Sequence, residues 1–464
     1  MQLFGAPSLL RVRLLALAVA AGIPAVLLVV PGAAVGSVQS TRVAPPHGSG
    51  GQISEGHGPI GKLKSVSVTA SPPGAGQFHA RSKFVPSVAA TASPNGAPSA
   101  PGPRATPTPT PSAPPAGPPS SGIVGRSGTE LVVAGQPYHF TGINIYMAAS
   151  GGTPSSCGGE LYPNVGVPLA QMPNGIVFRF WAFQDFFVSN GAFNWSNFDL
   201  VLQMAAEHQD RVIPVLANQY NYCDGPAKDL AWYQSGYQTT VSSGDLVSYR
   251  QYVADVVTRY AGNPTVAMWQ LVNEGQAVND NGSCDESAAL SALLSFSNDV
   301  GGLIHSLDPH HLVSLGTLAG YSGSGLQWCG AANGDYQTLM ASPGNDVCDF
   351  HDYGYPSSPM GNPQTPDLAT AIQMCHADGK PIMVAETGIF ASASNQLATR
   401  AAQFQAKFSS QFQAGVVGEL MWDWANIPQY VSPVADPDYG IFPASSFDGY
   451  QADPSLSLLG RVYW

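Results

Sequence analysis

From residue 140 onward, short apolar runs recur along the chain, at 140–146, 176–181, 212–216, 266–272, 312–315, 347–350, 382–385 and 416–421. Each is rich in Val, Ile, Leu or Phe, the texture of strands buried on both faces of a parallel sheet. Between the runs the period changes. Tyr249, Tyr252, Val253, Val256, Val257 and Tyr260 fall at i, i+3, i+4, i+7, i+8 and i+11, which is one face of a helix. Gly262-Asn263-Pro264 then ends it. Eight strands alternating with helices predict an α/β fold, and eight is the number that closes a (β/α)8 TIM barrel. An open doubly wound sheet is the alternative, but no G-x-G-x-x-G follows the first run.

The first 121 residues read differently. Arg11 and Arg13 precede an apolar stretch over 14–30, and small residues follow at Ala34-Val35-Gly36. This is the layout of an export signal over 1–36, or of an uncleaved anchor, since 17 residues is at the lower edge of a membrane span. Residues 37–121 are Pro, Ala, Ser, Thr and Gly, ending in Pro107-Thr108-Pro109-Thr110-Pro111. Such a segment buries too little apolar surface to offset its chain entropy and is expected to be a disordered linker. The folded domain is expected over 122–464, in a secreted protein or one tethered at the cell surface.

Charge divides at the same boundary. Eight of the 18 Lys and Arg fall before residue 122, with Glu55 the only acid there, so the domain carries ten basic against 29 acidic side chains. A body that acidic repels phosphate backbones and anionic polymers, which excludes nucleic acid and favours a neutral substrate. No obligate protein partner is expected, and the chain reads as a monomer.

In a barrel the βα loops gather at the C-terminal ends of the strands, and chemistry is expected there. The fourth run leads into Asn273-Glu274 and the seventh into Glu386-Thr387. Three βα units separate them, which places the two carboxylates across the barrel mouth. Carboxylates facing across a sugar-sized cleft are the apparatus of glycoside hydrolysis: one protonates the leaving oxygen while the other attacks the anomeric carbon or guides water to it. The second run buries Arg179 between Phe178 and Phe180-Trp181. An unpaired guanidinium there is costly, so a partner is expected: an ionised nucleophile, or Asp185 or Glu207. His351 and Tyr353 share one face of the sixth run. The eighth ends in Trp422-Asp423-Trp424, where an indole suits the apolar face of a sugar ring; burial in the core is the rival reading, more so for Trp424.

As an ordered set, Arg179, Asn273-Glu274, His351-x-Tyr353, Glu386 and Trp422 resemble glycoside hydrolase family 5, in the clan A of retaining (β/α)8 enzymes, and the resemblance spans residues 130–464. Within that family, FRFWAF at 178–183, Ser306-Leu307-Asp308-Pro309 and Asn218 after the third run are similar to endo-β-1,4-mannanases, with cellulases next. The resemblance implies Glu274 as acid/base, Glu386 as nucleophile and Asn273 as the residue that holds the sugar 2-hydroxyl. It implies that Arg179 and Tyr353 keep Glu386 ionised, that His351 lines the site beside the acid/base, and that Trp422 floors a subsite. It requires no cofactor and no metal. Gly275 stands where the family usually has Pro and Thr387 where Phe is common, which bears on substrate more than on mechanism. A cellulase or other β-glucanase is one alternative; a non-catalytic polysaccharide-binding protein is another. On physical grounds Arg179 should depress the pKa of Glu386 and burial should raise that of Glu274, with the carboxyl groups about 5 Å apart.

Trp181, Tyr220, Tyr222, Trp232, Tyr233, Trp328 and Tyr355 fall in or near βα loops and could stack sugars or pack the loops together. Six Cys in an exported chain are expected to pair, as 157–223, 284–329 and 348–375 by neighbouring loops and local reach (Cys157, Cys223, Cys284, Cys329, Cys348, Cys375). Neither C-x2-C nor H-E-x-x-H is present to suggest zinc. His310-His311 reads as a solvated turn.

Overall fold

The computed structural model describes residues 122–150, 165–221, 223–318, 329–331, 334–353, 355–361, 366–392, 394–425, 439–443 and 451–464. The segments read as an export signal and a linker, with Cys157, Tyr222 and Trp328, lie outside them.

All eight apolar runs become the strands of one parallel sheet: β1 Phe140–Asn144, β2 Val177–Trp181, β3 Arg211–Val215, β4 Met268–Gln270, β5 Leu312–Ser314, β6 Cys348–Tyr353, β7 Ile382–Gly388 and β8 Val416–Trp422. Consecutive strands pair from β1 to β5 and from β6 to β8, and β8 returns to pair with β1. The seam between β5 and β6 is closed by other means. The backbone N–H groups of Asp346 and Val347 donate to the Val313 carbonyl. Side chains accept from the backbone of β5 and the two residues after it in place of carbonyls: Asp346 from Val313 N, Asn345 from Leu315 N and Asp349 from Gly316 N. The fold is a (β/α)8 barrel.

The main helices that cover the sheet are α1 Ser196–Glu207, α2 Tyr249–Tyr260, α3 Glu286–Leu307, α4 Gly334–Met340, α5 Leu368–Ala377 and α6 Leu397–Ala414. The stripe read from sequence is the buried face of α2. Aspartates cap two starts, Asp285 accepting from Ala288 N and Asp367 from Thr370 N. Gly415, in the left-handed region at φ 108°, ends α6.

Two apolar cores result. The larger lies between strands and helices; the smaller fills the barrel, with Val177, Ile213, Met268, Leu312, Met383 and Leu420. Val124 and Leu131, from a three-stranded antiparallel sheet at the start of the domain, join the inner core at its N-terminal end. Apolar packing therefore fills one end of the barrel, and polar side chains collect at the other.

Cys284 and Cys329 are bonded, as are Cys348 and Cys375, as expected from neighbouring loops and local reach. Cys223 is also disulfide-bonded; the pairing expected for it involves Cys157, outside the described residues. One reading is corrected. His311 is buried rather than solvated, its Nδ1 2.6 Å from Asp308 and its Nε2 3.0 Å from the Asn263 carbonyl, because a turn that packs under β4 is closed off from water. Among the described residues no helix is long and apolar enough to cross a membrane.

Candidate active site

Strand β7 carries Met383 and Ala385 into the inner core. Simple alternation would turn Glu386 outward. The register of β7 against β6 slips at this point, with Val384 opposite Phe350 and Glu386 opposite His351, so Ala385 is an extra residue. This bulge re-aims Glu386 to the inner face, where it meets Arg179, and sends Thr387 outward.

Arg179 is fully buried and organises the inner layer. Its Nη1 donates to Glu386 Oε1 at 2.7 Å and to Asn144 Oδ1 at 2.9 Å. Its Nε donates to Gln270 Oε1 at 2.7 Å, and Nη2 to Asn273 Oδ1 at 2.6 Å. The partner of the buried guanidinium is therefore Glu386, not Asp185 or Glu207. Asn144 in turn donates to the carbonyls of Ala385 and Met421, tying β1 to β7 and β8. Asn273 donates to Asn218 at 3.1 Å, so both asparagines read from sequence reach the site.

The other oxygen of Glu386 accepts from the Tyr353 hydroxyl at 2.5 Å. His351 Nδ1 lies 2.9 Å from Glu274 Oε1 and 3.4 Å from Glu386 Oε2, between the two carboxylates. One oxygen of each Glu and a His351 nitrogen all lie within 4.8 Å of one another. That set has the size of a cation site, but its atoms already satisfy one another and Arg179 supplies the positive charge. Glu274 holds its backbone at φ 57°, a strained conformation for a non-glycine residue, and keeps 15% of its side chain open while Glu386 keeps 3%. Gly275 follows it closely: a Cβ there would come within 2.7 Å of Val272.

Burial pushes the Glu274 carboxyl up to about 7, against the opposing influence of Tyr220 and Arg179. Burial also raises Glu386, overriding the nearby His351, Arg179 and Tyr353, which act to lower it. The expectation of a depressed Glu386 is thus corrected: desolvation outweighs a single guanidinium whose charge four acceptors share. His351 is pushed down to about 4 by burial and is neutral at pH 7.

Aromatic rings form one wall. Tyr146 stacks on Trp422 with centroids 5.3 Å apart, and Trp181 lies 4.6 Å from Tyr146. Tyr220 sits against Glu274, and each carboxyl of the pair acts on its hydroxyl. Other loop aromatics pack instead: Trp232 and Tyr233 lie against Phe296, and Trp424 is buried. Tyr355 is 55% exposed, with its backbone at φ 44°. Sequence reasoning missed Asn144, Gln270 and Tyr146. The signal for the first two was a polar residue inside an apolar strand run.

No family model matches the chain. It is similar to probable mannan endo-1,4-β-mannosidase C of Aspergillus terreus, 25% identical over 269 residues, covering 50% of this chain and 64% of the relative. It is likewise similar to mannan endo-1,4-β-mannosidase 1 of Arabidopsis thaliana, 23% identical over 287 residues, covering 58% and 64%. The chain thus spans somewhat less than two thirds of the length of these curated relatives. The crystal structure of the endo-1,4-β-mannanase from Rhizomucor miehei superposes with a TM-score of 0.52 at 17% identity, over 72% of this chain and 99% of that one, the same fold.

Proposed function

We propose that the chain is a retaining endo-β-1,4-mannanase of glycoside hydrolase family 5, exported by residues 1–36 and carrying its catalytic domain at 122–464 behind a Pro-rich linker. One observation carries the chemistry: oxygens of Glu274 and Glu386 lie within 4.8 Å of each other at the barrel mouth. Retaining pairs stand about 5–5.5 Å apart, and inverting pairs about 6.5–9.5 Å to admit a water.

Glu386 is the nucleophile. Arg179 and Tyr353 bond one oxygen each and favour the anion. Glu274 is the acid/base, because its pKa near 7 keeps a proton available. Nδ1 of His351 faces two carboxylate oxygens and carries the ring proton, donating it to Glu274 Oε1. The carboxyl proton of Glu274 is then on the other oxygen. That proton goes to the glycosidic oxygen as Glu386 attacks the anomeric carbon and the leaving sugar departs; the Glu274 anion then takes a proton from a water that attacks the same carbon, breaking its bond to Glu386 and releasing the carboxylate. Asn273, fixed by Arg179 and Asn218, is placed to bond the sugar 2-hydroxyl, and Trp422 with Tyr146 offers an apolar face to the ring. The substrate is a neutral mannan, a reading supported by the names of the similar proteins.

Proton NMR of mannan oligosaccharide hydrolysis tests this, with the β-anomer expected first. Glu386→Ala should lower kcat on the order of 10^4-fold or more while polymer binding survives. A first-formed α-anomer, or an active variant, defeats the proposal. Hydrolysis of soluble cellulose but not mannan would move the substrate to glucan.

A further inference from the structure

The Tyr353 ring, whose hydroxyl bonds Glu386, is packed from behind. Gly388 lies directly against that ring: a Cβ on Gly388 would come within 2.1 Å of Tyr353 and 3.0 Å of Tyr439. Tyr439 packs edge-on to Tyr353, with centroids 5.4 Å apart at 86°, and also lies 3.9 Å from the Phe390 ring. Tyr439 has only 7% of its surface exposed and belongs to the segment 439–443, which pairs with the chain just after β8 through a bridge between Trp424 and Ile441.

The segment is held from α6. Arg400, fully buried, donates from Nη1 to the carbonyls of Tyr439 at 3.0 Å and Ile389 at 3.5 Å, and from Nη2 to that of Gly440 at 2.9 Å. Its charge is matched by buried Asp453. One guanidinium therefore ties together the residue after Gly388, the Tyr439 segment and the C-terminal turn.

We propose that Tyr439 is a positioning residue for the nucleophile: its ring, seated by Arg400, fixes the Tyr353 hydroxyl on Glu386. The inference rests on the retaining-hydrolase reading of Glu386. The route from Tyr439 to the nucleophile runs through the Tyr353 ring against which it packs. The groups that face Glu386 are Arg179 from β2, Tyr220 and Glu274 after β3 and β4, and Asp349, His351 and Tyr353 from β6. Tyr439 packs against Tyr353 among them.

The test compares Tyr439→Ala, Tyr439→Leu, Tyr439→Phe, Tyr353→Phe and the double variant Tyr353→Phe/Tyr439→Ala on mannan oligosaccharides across pH. Tyr353→Phe should lower kcat about 10^2-fold, as loss of one charge-directed donor does, and move the acid limb of kcat/KM to higher pH. Tyr439→Ala should lower kcat about tenfold with KM little changed and move the same limb the same way. Tyr439→Leu should do likewise if the Ala variant folds poorly, Tyr439→Phe should restore both readouts, and the double variant should add nothing to Tyr353→Phe. A fall in Tm with the acid limb unmoved would overturn the proposal, as would additive effects in the double variant. A second readout does not depend on turnover. In protein carrying 13C at the glutamate δ-carbon, with Glu386 assigned by its loss in Glu386→Gln, the titration midpoint of Glu386 should rise in Tyr439→Ala. An unchanged midpoint defeats the positioning role. A wild-type protein inactive on every mannan and glucan defeats the functional reading instead and leaves this midpoint to decide the other.

Discussion

Strands β6 to β8 carry buried charge on both faces, and the two sides are built to opposite ends. Along β6 the alternation is direct: His351 and Tyr353 point into the barrel mouth, and Asp352 between them points to the helices. Outside, Lys407 of α6 bonds Asp352 at 2.7 Å and the Ser358 carbonyl at 3.1 Å, and Gln411 bonds Asp352 and the Pro359 carbonyl. That cluster is sealed, with Lys407 and Asp352 both fully buried. Inside, the charges are held almost as tightly, yet Glu274 keeps a solvent face and two carboxylates share one histidine. The outer cluster matches each charge and so fixes backbone. The inner one leaves more acid than cation, and burial there raises Glu274 toward the pH at which it can both give and take a proton.

The sharpest break between the two faces comes from Lys407→Met. It leaves Asp352 buried without a cation, which costs about 3–5 kcal/mol. Denaturant unfolding should show that loss, while kcat per folded molecule stays within about tenfold of wild type, because no inner-face bond is removed. A kcat loss as large as that of Glu386→Ala, with stability intact, would mean that the outer cluster belongs to the chemistry.

This division explains what the sequence could and could not disclose. The eight strands were legible because burial on both faces leaves unbroken apolar runs, and the two glutamates because each directly follows a run. The aim of Glu386 was not legible: it depends on a bulge at Ala385, and period-2 counting gives the wrong face. Its raised pKa was missed for a related reason. Proximity to Arg179 was foreseeable from strand order, but the near-complete burial of Glu386, and the sharing of Arg179 with Asn144, Gln270 and Asn273, were not. Thr387, where the resembling family commonly has Phe, makes sense only once the outer face is seen, since its hydroxyl bonds Glu419 at 2.9 Å.

A smaller effect sharpens the inner side. With Glu274 near 7, the proton needed for leaving-group departure is lost as pH rises, so kcat on mannan oligosaccharides should fall about tenfold per pH unit well above 7. Glu274→Gln should abolish that limb. On an aryl mannoside whose phenolate leaves without protonation, the first chemical step should become insensitive to pH there. A limb that persists in Glu274→Gln would assign the acid to another group.

The smallest effect is on the outer face, at Glu419. Its side chain is wholly buried on β8, and burial holds its carboxyl well above the usual range, with Asp352 adding to the rise and Thr387 and Lys407 opposing it. A carboxyl raised on folding binds its proton more tightly in the native state. Its favourable contribution is therefore complete below the unfolded pKa and is lost as pH climbs from there toward the folded value. Glu419→Gln keeps the shape and the Thr387 contact but has no proton to lose. The variant should match wild type near pH 4 and exceed its Tm at pH 8 by about 2 °C or more, with kcat unchanged. Parallel Tm curves for the two proteins from pH 4 to 9 would show that Glu419 is ionised in the fold and paired with Lys407, and the outer face would then carry one more charge than the comparison allows.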